Sequence, residues 1–127
     1  MPLRSLNSSV LEWPDLASVD QAVRFWAEQQ AQSCPEILQV GYFGSYGRGD
    51  WGVGSDLDLV IIVKSSETHF WQRSLEFDAL NLPVPVDLLV YTQDEWQSMR
   101  QRGDRFPRQV EAEVVWVYLS KGGSTGY

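Results

Sequence analysis

Apolar residues alternate with two different periods along this chain, and the switches between them mark the elements. Val19, Ala22, Val23 and Trp26 repeat at helical spacing. Ser18, with Gln21 three residues on, reads as a capping box opening that helix, and Pro35 requires it to end beforehand. Ile37 to Phe43 then reads as a first strand running into Gly44. Asp56 to Val63 reads as a second, apolar on both faces after its aspartates and therefore central. Ser65 to about Phe77 is expected to be a helix. Val84 to Tyr91 is a third strand, with Pro83 and Pro85 restricting pairing at its start. Thr92 and Glu95 form a second capping box, opening a helix through about Gln101. Asp104 to Glu113 is expected to hold a short helix interrupted near Pro107, and Val114 to Leu119 a last strand.

Helices alternating with strands predict an α/β or α+β domain. The expected architecture is a small mixed sheet of about four strands, with helices packed mainly on one face. With 127 residues the chain fits a single domain, its core over about 18–119. Residues 1–17 read as irregular, with Pro2 and Pro14 as breakers and Trp13 as an anchor. The tail over 120–127 reads as flexible.

Composition removes several alternatives. Ten basic and 17 acidic residues leave a net charge of −7, which argues against gripping nucleic acid or an anionic membrane as the main task. The longest apolar run, Leu59 to Val63, is far too short to span a bilayer. Met1 to Arg4 leads into polar sequence with no signal-peptide pattern, and Cys34 is the only cysteine. A cytoplasmic location is therefore expected. Cys34, beside Pro35, reads as a packing or loop residue.

Chemistry concentrates in GSYGRGDWGVGSDLDL, residues 44–59. Side chains alternate along a strand, so Asp56 and Asp58 project to one side and Leu57 to the other. Asp87 interrupts the apolar run Val84 to Val90, an expensive place for a charge unless it is paired or metal-bound. If the second and third strands are neighbours, the three carboxylates can meet. Magnesium takes hard oxygen ligands of this kind, and two such ions about 3.5–4 Å apart can stabilise both attacking and leaving oxygens. Gly44 lets the backbone approach a phosphate closely, Ser45 offers a hydroxyl and nearby N–H groups, and Arg48 a cation. Plainer alternatives stand beside these: Asp87 as an edge-strand carboxylate paired with an arginine, Arg48 on a solvated loop.

Other motifs lack their context. The glycines at 47, 49 and 52 satisfy G-x-G-x-x-G, but a strand rather than a helix follows, so a dinucleotide-binding turn is unsupported. No Gly-Lys-Ser/Thr follows for a P-loop, and Asp56-x-Asp58 lacks the remaining oxygens of an EF-hand. Arg-Gly-Asp occurs at 48–50 and 102–104 with no export signal. His69 reads as a surface or packing residue. Trp26, Trp96 and Trp116 read as core, while Trp51 and Tyr46 are loop aromatics. Asp94 and Glu95 support a helix N-terminus.

Gly44-Ser45, ten residues, then Asp56-x-Asp58, with a third acid at Asp87, resembles the minimal nucleotidyltransferase family within the DNA polymerase beta-like superfamily. The resemblance extends over about residues 18–119. It implies a mixed sheet, ATP or another NTP as donor, and two divalent metals. Asp56 and Asp58 would bind metal; Asp87 would complete the site and help activate an acceptor hydroxyl. Stand-alone members resemble antitoxins paired with HEPN-domain ribonucleases, which transfer AMP to a toxin tyrosine or block the toxin by binding. The leading expectation is thus a magnesium-dependent protein adenylyltransferase acting on a HEPN-type partner. The alternatives are a small-molecule, antibiotic-type nucleotidyltransferase completed by a partner subunit, and a non-catalytic binding antitoxin.

Overall fold

The computed structural model describes residues 13–120. Most of the irregular N-terminal stretch and the tail from Lys121 lie outside the described residues. Trp13 lies inside them and does anchor: its indole N–H donates to the Tyr46 hydroxyl at 3.0 Å.

Helix α1 spans Leu16–Ser33, β1 Ile37–Phe43, α2 Gly44–Arg48 and β2 Leu57–Val63. Helix α3 is the single turn Phe70–Arg73, continued as a 3₁₀ turn over Ser74–Glu76. Strand β3 is Val86–Thr92, α4 Gln93–Arg102, α5 Arg105–Glu113 and β4 Val115–Leu119. The four strands form one mixed sheet in the order β3-β2-β1-β4. β1 is antiparallel to both β2 and β4, while β2 and β3 run parallel. β2 is central, and every residue after Asp58 in it is buried.

The expected α+β architecture and four-stranded mixed sheet are therefore present. Helices, expected mainly on one face, are divided between two. Val19, Val23, Trp26 and Ala27 of α1 pack with Leu57, Leu59, Ile61 and Val63. On the opposite face Val60 and Ile62 meet Trp96 of α4 and Val110 of α5. The doubly apolar β2 requires this, because each fully buried aliphatic side chain is worth about 1.5–3 kcal/mol and both rows need cover.

Three local expectations are corrected. Helix α1 starts before Ser18 because Asp15 is its cap, accepting from the Ser18 N–H at 2.8 Å. The helix expected over 65–77 shrinks to one turn of α-helix and one of 3₁₀. Its first residues satisfy one another locally: Ser66 Oγ accepts from the Thr68 N–H, and Thr68 Oγ1 donates to Glu76, the competition that draws Ser and Thr out of helices. Helix α5 runs unbroken through Pro107, which sits in its first turn, where a missing N–H removes no intrahelical bond. The Thr92–Glu95 capping box is formed as expected.

Arg73 is buried and forks onto both Glu95 oxygens (2.6 and 2.9 Å), also donating to the carbonyls of Thr68 and Val90. It pins the β2–β3 crossover to the sheet.

Tyr42 is buried and donates its hydroxyl to Asp20 at 2.8 Å. Burial first, then the Asp20 carboxylate, push its hydroxyl pKa up to about 12. The unfolded chain ionises near the ordinary value of 10.0. Stability from Tyr42 is thus full below that value and is lost as pH rises towards the folded one. Tyr42→Phe should flatten the alkaline fall in melting temperature over that interval, and absorbance titration should lose one late-ionising tyrosine.

Candidate active site

The bend after β1 is held from two sides. Gly44 has φ +70°, which only glycine adopts freely, and a Cβ there would collide with the Asp58 carboxylate. Gly47 lacks a Cβ where one would meet the Glu113 carbonyl oxygen. Helix α2 is therefore wedged between β2 and the end of α5. Its Tyr46 is buried and stacks on Trp51, with centroids 5.5 Å apart and planes 6° from parallel. Trp51 thereby fixes the following loop. Ser55 Oγ accepts from the Gly52 N–H at 2.8 Å, and the chain enters β2 beside Asp56.

The register of the sheet brings the acids together. Asp58 pairs with Phe43 across β1 and with Asp87 across β3. Asp58 continues the row of Val60 and Ile62, and Asp87 the row of Leu89 and Tyr91, so both project from the face covered by α4 and α5. Gly44, Ser45, Arg48, Asp56 and Asp58 line one cleft of about 380 Å³, together with Gln109 and Glu113 of α5. Asp87 lines a neighbouring groove of about 850 Å³. One residue of each hollow, Asp58 and Asp87, stands in register on neighbouring strands.

Burial raises the Asp58 pKa, and the charges of Asp87, Asp56 and Glu113 raise it further; Arg48 pulls the other way. Four carboxylates thus share one region. Arg48 is engaged rather than simply solvated. Its Nε donates to Asp50 at 3.1 Å and its Nη1 reaches Glu113 at 3.3 Å.

Glu113 is the site residue that the motifs do not reveal. Its side chain is only 11% exposed, and its Oε1 accepts from the Gly44 N–H at 2.9 Å. One signal was available: an acid closing a helix is opposed by the helix dipole, so a buried glutamate ending α5 needs another partner. Glu113→Ala is expected to loosen the bend and lower stability by about 1.5–3 kcal/mol, the usual worth of a hydrogen bond to a charged group. Glu113→Gln retains an acceptor for the Gly44 N–H and should recover most of the loss in a thermal melt.

The donor set suits magnesium. All the candidate ligands are hard carboxylate oxygens, and the mutual repulsion around Asp58 is what a cation relieves. Among the described residues no three His, Cys, Asp or Glu side chains close around one ion position. Magnesium does not require that, since it commonly takes one or two carboxylates, water and substrate phosphate oxygens.

The nucleotidyltransferase domain family matches residues 21–117, three quarters of the chain and the whole of this arrangement. The chain belongs to that family. Its fold is shared with a nucleotidyltransferase-assigned protein of Sulfolobus solfataricus, at TM-score 0.59 and 22% identity over 85% of this chain and 86% of that one. A toxin-antitoxin structure with AMP-PNP is similar at TM-score 0.55 and 18% identity, covering 80% and 77%. A mutant of the MntA-HpeT toxin-antitoxin gives TM-score 0.54 at 16% identity, with the same coverage. No curated protein matches. For this nucleotidyltransferase domain the remaining residues have ordinary roles. Trp26 and Trp96 are core, His69 stacks on the exposed Trp71, and Cys34 is half-buried at the end of α1. No helix among the described residues is long and apolar enough to cross a membrane.

Proposed function

We propose that this chain transfers AMP from ATP to a hydroxyl of a partner protein, with magnesium, as the antitoxin of a HEPN-type pair. One observation carries the nucleotidyl-transfer chemistry: the glycine bend packs against Asp58, which lies in register beside Asp87. Phosphate oxygens fit the side of Gly44, Ser45 and Arg48. Asp56, Asp58 and Asp87 are the residues to hold magnesium. Bound there, the metal would neutralise the phosphates and the departing charge.

The chain's own contribution is placement. An acceptor hydroxyl entering from the groove meets Asp87, whose carboxylate takes its proton. The acceptor oxygen bonds to the α-phosphorus, the α-phosphorus to bridging-oxygen bond breaks, and pyrophosphate leaves. Such transfer depends mostly on positioning and charge neutralisation. The protein acceptor and the HEPN partner are supported by the resemblance and by the fold shared with toxin-antitoxin structures, one of them with AMP-PNP.

The test incubates the protein with α-³²P-ATP, magnesium and its co-expressed neighbouring protein. Label on that protein, absent with EDTA, is expected. Label on a small molecule would instead support the small-molecule enzyme. Inhibition of the partner without any label, retained by Asp56→Asn/Asp58→Asn, would support a purely occluding antitoxin.

A further inference from the structure

The groove beside Asp87 combines acidic and apolar residues. It is lined by residues from Ser74 to Leu88. That stretch contains three acids, Glu76, Asp78 and Asp87, and no lysine or arginine. Leu75 and Leu80 stand 82% and 92% exposed on it.

Its walls are nevertheless fixed. Leu82 and Val84 are buried in the main core. The Trp26 indole N–H donates to the Asp78 carbonyl at 2.7 Å, tying the segment to α1. Arg73, held by Glu95, anchors its start. A preformed hollow with an acidic, apolar rim therefore includes Asp87, the register partner of Asp58.

We propose that this groove docks the acceptor protein through a segment that carries its hydroxyl between basic residues, with an apolar side chain against Leu75 and Leu80. The proposal rests on the nucleotidyl-transfer reading, since that reading gives Asp87 its acceptor. Two features select this occupant. Glu76, Asp78 and Asp87, with no lysine or arginine among the lining residues, favour a basic segment, and Asp87 at the groove's margin stands in register beside Asp58. A nucleotide does not suit it, because its phosphates would face only acids.

Two fluorescein-labelled peptides test it, each with one central tyrosine, flanked by arginines in one and glutamates in the other. Anisotropy is read alongside calorimetric binding of magnesium–AMP-PNP. The wild type should bind the arginine peptide at least about tenfold more tightly, less so at high salt. Glu76→Lys/Asp78→Lys should reverse the order while magnesium–AMP-PNP binding stays unchanged, which also reports an intact fold. Leu75→Ser/Leu80→Ser, at two largely exposed positions, should weaken the arginine peptide without reversing the order. Equal binding of the two peptides, no binding of either, or a preference untouched by the charge reversal would overturn the proposal. Failure of magnesium–AMP-PNP to bind the wild type would instead sink the nucleotide reading, and the peptide order would still decide the groove's preference.

Discussion

Asp58→Asn is expected to lower transfer by at least about 10²-fold, the scale on which loss of one preorganised electrostatic group acts, and at the same time to make the metal-free protein more stable. Both effects follow from one position. Asp58 is half-buried among Asp87, Asp56 and Glu113, and its folded pKa lies above the ordinary carboxylate value. An acid shifted upward loses stability as pH rises from its unfolded to its folded pKa, so at neutral pH the ionised Asp58 is a net strain on the fold. Asparagine keeps the shape and removes the charge. A melt in EDTA at neutral pH should therefore run a few degrees higher for the variant. With magnesium and AMP-PNP the order should narrow or invert, because a ligand that binds only the folded state stabilises it, and the variant has lost part of that site. A variant less stable than wild type in EDTA would overturn the charge strain at Asp58, and one with undiminished transfer would remove Asp58 from the metal-binding role.

The same tension explains why some of the site was legible in the sequence and some was not. Asp56 and Asp58 share a side by the period of a strand alone, and β2 is recognisable because it is apolar on both faces. Asp87 stood out as a charge inside the apolar run Val84 to Val90; in the structure it is exposed on the edge strand β3, so burial does not force a partner on it. Its register opposite Asp58 depends on β2 and β3 being neighbours, which no local pattern specifies. That Asp87 lines a different hollow from Gly44 and Asp58 is a tertiary fact again, set by the crossover that Arg73 pins to Glu95.

Helical periodicity misled where side chains bond their own backbone. Asp15 outcompetes Ser18 as the cap of α1, and Ser66 and Thr68 unwind the start of the segment before α3. Glu113 escaped because it lies 69 residues from the Gly44 N–H that it binds. Sequence spacing carries motifs of the first kind and is blind to partners of the second, and the candidate site contains both.

Gly44→Ala should damage both the fold and the site. The positive φ alone costs a non-glycine residue about 1–3 kcal/mol. The new methyl would also occupy the position of the Asp58 carboxylate, so either the bend or the acid must move. A displacement of about 1 Å at a reacting centre can cost about 10²-fold, and transfer should fall by at least that much. Gly49 provides the control. It has a similar positive φ, +84°, but nothing within 4 Å of a Cβ. Gly49→Ala should therefore show the backbone cost alone, with transfer within a few-fold of wild type. The double variant Gly44→Ala/Asp58→Gly removes the collision: stability should recover to roughly that of Gly49→Ala, a non-additive coupling of the kind contacting residues show, while transfer stays at least about 10²-fold down. Equal loss of activity in Gly44→Ala and Gly49→Ala would mean that the bend's conformation alone matters, and that its contact with Asp58 does not.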